Sequence, residues 1–524
     1  MSRLAALALA LALAAPSGGC KKQPQQRPVR QGRDEVAAPA DPRLPAAHPL
    51  AREPDAGAFV EAPAALALAA DAFVPAAPSL AEAAELLLRT QGPDDWAQAT
   101  AQALDGQRPW AGAHVAGEDV VHLPLTKARV DQVQGLLARY PKRGDFGAVE
   151  LPRAGLELRG GDLIPTAGKP PAASARPRLA WVDAAGATLT LADTPEGLAT
   201  GRELPRTYGG RPLWFSLGEA RGKELLGRFP YGRIQGGGAG LHSLDITAVA
   251  RPGQPLPVLR DLAPGALTGA LSKDLAVGAT TRWTGYKDAV RDAIHEMQAQ
   301  VDRAGFAGKM MLDPIADQAT RVLKTWNGRV LVGVGPARHV RVALGAEDPH
   351  AAHRGLLTLV RDISDNLQLA RMFVSNVPNV ALKKVGDTPD VWLLSVSGIT
   401  NQLPAEVRTL ADDGRLRVAF SSSAHAGALL LVIGPRADAE LKTWVAEANA
   451  GASGKDGMKD LASASLAAGP QALIPLLQAG DSPKKLLGAV LGLGADRAPT
   501  RVVLRQVDQR FEISVRGPEP KAKR

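Results

Sequence analysis

The segment RLRVAFSSSAHAGALLLVIGPRADAELKTWVAEA, residues 415–448, contains two β-rich runs, a glycine turn and then a helical pattern. Apolar residues follow the turn at positions 437, 441, 444, 445 and 448, which is the spacing of one face of a helix. The two runs before them are rich in Val, Leu and Phe and predict an antiparallel hairpin around Gly427. The segment therefore predicts a hairpin with a helix packed on it.

The same order occurs twice more, at residues 178–198 and 328–363. Thr194 with Pro195, and Asp348 with Pro349, have the pattern of a helix N-cap followed by proline at the first helical position. The second helix has apolar residues at the spacing found after residue 437, at Ala352, Leu356, Leu359, Val360 and Ile363. The sequence thus predicts an α+β fold of antiparallel sheets layered with helices, built from recurring β-hairpin–helix units. This pattern loosely resembles large extracytoplasmic bacterial proteins in which such units recur.

Two further helices are predicted between the first and second of these segments. The run YKDAVRDAIHEMQAQVDRAG, residues 286–305, places Val290, Ile294, Met297 and Val301 on one side. The run PIADQATRVLKTWNG, residues 314–328, predicts a second helix that leads into the first strand of the next unit.

Composition divides the chain into six parts. The Pro/Ala/Ser-rich stretch at 166–178 predicts a linker. The parts that we expect are a signal peptide (1–19), an acylated cysteine with a disordered basic tether (20–55), an N-terminal α/β segment (56–165), two halves of an α+β body (178–312 and 313–517) and a basic tail (518–524).

The N-terminus contains the single cysteine of the chain, in SGGCKK at residues 17–22. One cation, Arg3, precedes an apolar run over residues 4–15, which is the layout of a secretory signal. Small residues and then Cys20 follow, and this stretch resembles the lipobox of the bacterial lipoprotein signal, with Ser17 at a position where Leu is commonest. The resemblance implies cleavage before Cys20, a diacylglycerol thioether on its sulfur and a fatty acid such as palmitate on its nitrogen. The alternative is ordinary cleavage near residues 13–15, which leaves Cys20 as a free thiol.

Lys21 follows the cysteine, and the resemblance to lipoprotein sorting implies that a residue other than Asp there favours the outer membrane or the cell surface over the inner membrane. The formal net charge of +9 agrees with a membrane location. Six of the excess cations lie in residues 1–33 and three in residues 521–524, so the body is formally neutral. Because aromatic residues make up only 4% of the chain, a nucleic-acid partner is not expected.

The most metal-like cluster is Asp348, His350 and His353, because residues three apart lie on one side of a helix. A metal site needs a further ligand, and no H-E-x-x-H or paired-cysteine pattern accompanies these residues. We therefore expect a capped first turn with two solvent-facing imidazoles, and no metal or other cofactor.

A second group, His242, Ser243 and Asp245, has the residue types of an acyl-transfer site. In a strand, however, Ser243 and Asp245 share one face and His242 points to the other. Neither a G-x-S-x-G elbow nor a phosphate-binding loop occurs in the sequence, so no catalytic residue is assigned.

These observations favour a non-enzymatic, lipid-anchored envelope lipoprotein that binds a protein or an envelope polymer. Two alternatives remain open. One is an envelope hydrolase whose carboxylates meet only in the fold, which predicts two carboxyl groups in one cleft. The other is a periplasmic carrier, which predicts a large apolar cavity between sheet and helices.

Overall fold

The computed structural model describes residues 44–50, 56–71, 79–152, 156–159, 162–165, 177–210, 212–226, 229–240, 242–254, 262–271, 274–335, 338–372, 377–387, 390–403, 405–450, 459–467, 489, 491–493 and 498–517. Cys20, the predicted signal peptide, most of the predicted linker and the basic tail lie outside the described residues. The chain divides into two compact units, with the main boundary between Leu256 and Pro257. Unit 1 also contains Gln509–Phe511, and unit 2 contains Pro257–Asp508 together with Glu512–Glu519.

Unit 1 is formed by twelve described strands and six α-helices. They are β1 (Ala56–Val60), α1 (Pro63–Asp71), α2 (Leu80–Arg89), α3 (Asp94–Ala101), β2 (Trp110–Val115), β3 (Glu118–Pro124), α4 (Val130–Leu137), β4 (Lys142–Arg143), β5 (Ala148–Leu151), β6 (Leu156–Arg159), β7 (Asp162–Pro165), β8 (Arg178–Asp183), β9 (Thr188–Ala192), α5 (Pro195–Tyr208), β10 (Leu213–Gly218), α6 (Glu219–Leu226), β11 (Tyr231–Gly240) and β12 (Ser243–Ala250).

Ten strands of unit 1 form one antiparallel sheet in the order β4–β5–β8–β9–β3–β2–β1–β10–β11–β12. The strands β6 and β7 pair with each other as a separate hairpin. Strands from both sides of the predicted linker are therefore neighbours, since β5 pairs with β8 and β3 pairs with β9. For this reason, residues 178–256 belong to the same unit as residues 56–165.

Helix α5 begins where the sequence predicts. The Thr194 side chain accepts a hydrogen bond from the Gly197 backbone N–H, and Pro195 is the first helical residue. The helix buries Leu198, Leu204 and Tyr208 against the sheet. At Gly201 the backbone comes so close to the sheet that an added Cβ would lie 2.3 Å from the Thr190 Cγ2 atom.

Gly201→Ala should therefore weaken the packing of α5 on the sheet, because the new methyl group would force the helix outward. We expect a loss of about 1–3 kcal/mol in the free energy of local opening, measured by hydrogen–deuterium exchange of α5 peptides in the full chain. Gly135→Ala in α4 is the matched control, since its Cβ would meet no atom within 4 Å. That change should be neutral or stabilising. Equal exchange in the two variants would contradict the close approach.

His122 on β3 is buried in the sheet of unit 1, 3.4 Å from the Thr190 hydroxyl. Burial lowers the pKa of His122 to about 4, and the charges of Arg108 and Arg202 act in the same direction. Between pH 6.5 and pH 4 the unfolded chain therefore binds a proton at this position that the folded chain does not.

Acidification from pH 7 to pH 4 should consequently lower the free energy of unfolding of unit 1 by about 3 kcal/mol, because of His122 alone. His122→Gln should remove that part of the pH dependence, measured as the wild-type minus variant difference in exchange of β3 and β9 peptides. His242→Gln, in a turn residue, is the control and should leave the dependence unchanged. Titration of the His122 ring by NMR measures the same pKa without a substitution, and a midpoint near 6.5 would refute the prediction.

Unit 2 contains most of the remaining elements. They are β13 (Val277–Arg282), α7 (Tyr286–Arg303), α8 (Gly305–Lys324), β14 (Trp326–Val334), β15 (Val340–Ala346), α9 (Pro349–Arg371), β16 (Asn379–Asp387), β17 (Asp390–Ser397), α10 (Ala405–Arg408), β18 (Ala411–Asp412), β19 (Arg415–Ser423), β20 (Ala428–Ile433), α11 (Ala437–Ala450), β21 (Asp460–Leu466) and β22 (Thr500–Val507). The last strand, β23, is Arg510–Arg516. Short 3₁₀ turns occur at Lys127–Arg129, Thr268–Ala270 and Thr400–Gln402.

The sheet of unit 2 has the antiparallel order β22–β21–β13–β14–β15–β20–β19–β17–β16, with β18 paired to the start of β19. Together with the helices, these sheets confirm the predicted α+β class. Among the described helices, none is both long and apolar enough to span a membrane.

The predicted apolar stripe of α11 is confirmed. Its five residues are all buried: Ala437, Leu441, Trp444, Val445 and Ala448. They pack on β17, β19 and β20 in a core cluster of unit 2. The Trp444 indole N–H also donates to the Ala270 carbonyl at 2.8 Å, so the one polar atom of this side chain is satisfied.

The long helices α7, α8 and α9 are less buried than their patterns suggest. Helix α8 begins at Gly305, so it is longer at its N-terminal end than the run at 314–328 from which it was predicted. Pro314 lies inside the helix, where it removes one hydrogen bond to the carbonyl of Met310, a residue on the exposed surface that water can reach. Helix α9 packs along α8, and the Gln318 amide donates to the Gly355 carbonyl at 3.0 Å. Of the predicted α9 stripe, Ala352 and Val360 are buried.

Candidate functional site

A cleft of about 510 Å³ lies in unit 2 where α7, α8 and the first residue of β14 meet. Its volume is in the range of small-molecule sites, about 300–1,000 Å³. Its lining residues are Tyr286, Lys287, Val290, Arg291, Ile294, His295, Leu323, Lys324, Thr325, Trp326 and Glu347. We refer to it below as the basal cleft.

Sheet register positions the walls of the basal cleft. Arg282 at the end of β13 pairs with Arg329, and Trp326 at the start of β14 pairs with Ala346 at the end of β15. The end of β13, the start of β14 and the end of β15 therefore lie side by side, at the same end of these three strands. Helix α7 starts four residues after β13, and α8 ends two residues before β14. The N-terminus of α7 and the C-terminus of α8 thus meet there.

One wall of the cleft is aromatic. The Trp326 indole N–H donates to the Arg329 carbonyl at 2.8 Å, which fixes the orientation of the ring. The Tyr286 ring lies edge-on to it with centroids 5.8 Å apart, and Trp283 is tilted at 6.5 Å. Gly328 permits this packing, because it has a φ of +84° and an added Cβ would lie 2.5 Å from the Tyr286 ring.

The charge lining the cleft is mainly positive, with three cations, Lys287, Arg291 and Lys324, and one carboxylate, Glu347. Arg291 is paired with two carboxylates of its own helix, Asp288 at 2.9 Å and Asp292 at 3.8 Å, and all three side chains are exposed. In the described part of the chain, Lys287 and Lys324 form no ion pair. Each of the two helices therefore contributes one lysine that has no ion pair among the described residues.

The rest of the lining is apolar or weakly polar. Val290, Ile294 and Leu323 contribute apolar side chains to the lining, and Thr325 and His295 also line the cleft. A site of this kind can hold a negatively charged group on its lysines and an apolar face of the same molecule on its rings. Among the described residues that line the cleft, Glu347 is the only carboxylate, so these residues do not include the carboxylate pair of a glycosidase.

The three metal candidates of the sequence face different partners. Asp348 caps α9 by accepting the Ala351 backbone N–H at 2.9 Å, and this hydrogen bond lowers the pKa of Asp348. The His350 ring lies 3.1 Å from the Ser422 hydroxyl. His353 is buried against Phe420, and its Nδ1 atom is 3.9 Å from Asp390.

The expectation of two solvent-facing imidazoles is therefore wrong for His353, and burial lowers the pKa of this residue. The capped first turn is confirmed. Within the described residues, no group of three or more His, Cys, Asp or Glu side chains could hold a metal ion.

The acyl-transfer candidates also stay apart. Ser243 and Asp245 take alternate positions on β12, where they pair with Gly240 and Gly237, and His242 lies in the preceding turn. Cys20 lies outside the described residues.

A buried polar cluster in unit 2 was not predicted. The Arg341 side chain is fully buried and donates to both oxygens of Asp274, at 2.9 and 2.7 Å, and to Glu440 at 3.2 Å. Its Nε atom also donates to His339 Nε2 at 3.1 Å. Burial lowers the pKa of His339, and the positive charge of Arg341 acts in the same direction. The cluster joins β15 to α11, and we assign it a structural role.

Comparisons with protein families, with curated proteins and with solved structures found no match to this chain.

Proposed function

We propose that the chain is a non-enzymatic binding protein of the bacterial cell envelope and that the basal cleft is its ligand site. The observation that carries this proposal is the pair of unpaired lysines, Lys287 and Lys324, beside the fixed Trp326 ring. Uncompensated cations beside an aromatic ring suit recognition of an anionic ligand. The single carboxylate of the lining favours binding over two-carboxylate hydrolysis.

The packing of α11 on the sheet of unit 2 does not support the carrier alternative. Leu441, Trp444 and Val445 fill the space over β17, β19 and β20, where a carrier would need an apolar cavity. The basal cleft, with its charged rim, does not suit a wholly apolar ligand either.

The anchoring part of the proposal rests on the N-terminal sequence. The lipobox-like stretch at residues 17–22 supports lipidation at Cys20, and Lys21 supports the outer membrane or the cell surface as the destination. Two or three acyl chains hold a protein firmly, at roughly 0.8 kcal/mol per buried methylene group. Fully extended, residues 21–43 would span ~80 Å.

The folded body starts earlier than the predicted tether ends, because residues 44–50 contact unit 1. The His48 backbone N–H donates to the Thr200 hydroxyl at 2.8 Å, and the His48 ring lies 3.2 Å from Glu118. Leu44 and Leu50 pack against the core of unit 1.

The proposed architecture consists of recurring hairpin–helix units. Three antiparallel hairpins, β8–β9, β14–β15 and β19–β20, are each followed by a helix: α5, α9 and α11 respectively. Thr194 and Asp348 cap two of these helices in the same way. These similarities support repetition of one unit, with the binding cleft beside the second.

The lipid anchor is tested by metabolic labelling with a clickable palmitate analogue. We expect wild type to carry the label and to fractionate with membranes, and Cys20→Ala to lose both, because the acyl chains are the proposed anchor. Lys22→Ala is the control and should keep both. An unlabelled wild type, or a Cys20→Ala variant that stays in the membrane fraction, would refute lipid anchoring.

The ligand site is tested by co-sedimentation of the Cys20→Ala chain with purified cell-envelope fragments of the producing organism. Combining Lys287→Ala with Lys324→Ala should lower the sedimented fraction at least about fivefold, because both uncompensated cations are lost. Arg303→Ala, at the far end of α7, is the matched control and should sediment like the parent chain. Equal sedimentation of the double variant and the parent would remove the basal cleft as the binding site.

A further inference from the structure

We infer that the basal cleft binds an acidic saccharide, a pyranose unit that carries a carboxylate or a phosphate group. The inference rests on the proposed function, because it names the ligand class of the same site. It concerns the chemistry of the ligand, and it can fail while envelope binding by the cleft stands.

The anionic group is assigned to Lys287 and Lys324. These side chains come from the first turn of α7 and the last turn of α8, so a single group that bridges them would also join the two helices. Arg291 is already engaged in ion pairs with Asp288 and Asp292, whereas the two lysines have none. Lysine ammonium groups recognise carboxylate and phosphate as point charges, so either group satisfies them.

The sugar ring is assigned to the aromatic wall. The Trp326 ring is held by its hydrogen bond to the Arg329 carbonyl, and an indole of fixed orientation offers a large flat surface at low entropic cost. The C–H groups of a pyranose would pack on this ring and on Val290, Ile294 and Leu323. Glu347, Thr325 and the Tyr286 hydroxyl provide hydrogen-bond partners for sugar hydroxyl groups.

Two other ligand classes fit less well. A cationic ligand would meet two uncompensated lysines. A nucleotide would have a base to stack, but Tyr286 and Trp326 stand at 69° to each other, so the two rings do not form a parallel slot for it. The sequence also lacks a phosphate-binding glycine loop. A saccharide needs only the single face that the cleft has.

The test is isothermal titration of the Cys20→Ala chain with five defined probes. Digalacturonate provides the carboxylate, glucose 6-phosphate provides the phosphate, and cellobiose is the neutral saccharide. Inorganic phosphate tests the anion alone, and AMP tests the nucleotide class. We expect at least one acidic saccharide to bind about tenfold or more tightly than cellobiose and inorganic phosphate. Which of the two binds identifies the anionic group.

Variants connect this binding to the cleft. Lys287→Gln with Lys324→Gln should weaken binding of the acidic saccharide at least about tenfold, and Arg303→Gln should leave it unchanged. Raising the salt concentration should weaken binding of the acidic probe, because it screens the exposed lysines.

Five results would overturn the inference. If cellobiose binds as tightly as the acidic saccharides, the anionic group is not recognised. If inorganic phosphate binds as tightly as they do, the sugar ring is not recognised. If AMP binds more tightly than they do, the site is a nucleotide site. If none of the probes binds while envelope co-sedimentation still requires Lys287 and Lys324, the ligand class is wrong and the proposed function stands. If none of the probes binds and envelope co-sedimentation does not require Lys287 and Lys324, both the inference and the proposed function are wrong.

Discussion

The antiparallel register of β13, β14 and β15 is the constraint on which the basal cleft depends. It sets Arg282 opposite Arg329 and Trp326 opposite Ala346, so the chain leaves and enters the sheet at one edge. Helices α7 and α8 have little buried apolar surface of their own, and Val301 of α7 is buried while Val290 and Ile294 are only partly covered. The two helices pack against each other, and α8 also packs along α9, while the sheet fixes the ends of α7 and α8 that border the cleft. A one-residue slip of β14 would turn Trp326 to the other face and remove the aromatic wall.

The buried Arg341 cluster holds a different part of unit 2 together. A guanidinium removed from water is tolerated only where its donors are paired, and Asp274 and Glu440 provide those partners at 2.7 to 3.2 Å. Because Asp274, Arg341 and Glu440 are far apart in the chain, their pairing connects three separate segments. His339 takes part as a neutral imidazole, since its Nε2 atom accepts from Arg341 and its pKa is lowered by burial.

Local patterns predicted the local structure well. The Thr194 and Asp348 caps depend on residues within one helical turn, and the α11 stripe depends on residues within about three turns. All three features are present in the structure. The start of α8 was missed because proline at a helix start is commoner than proline inside an exposed helix. The Asp348 cap also argues against a metal ligand at this position, since its carboxylate accepts a hydrogen bond from the Ala351 N–H.

The cleft could not be predicted, because its members come from three elements brought together by strand register. Tyr286, Lys324 and Trp326 carry no shared spacing in the sequence. The one available signal was aromatic residues at both ends of the α7–α8 segment, Trp283 and Tyr286 before it and Trp326 after it. In an amphipathic helical pattern such residues are more often part of the core.

The division of roles within the cleft follows from the rigidity of its parts. Trp326 is held by a hydrogen bond and by neighbouring rings, so contact with its face costs a ligand little ordering of the protein. Lys287 and Lys324 are long, exposed side chains that lose rotamer freedom when they pair, and their net contribution to affinity is correspondingly smaller. Affinity should therefore come mainly from the ring face and selectivity for charge from the lysines. A weak, selective contact of this kind, repeated along a polymer, would suit a protein that the proposed lipid anchor holds at the envelope.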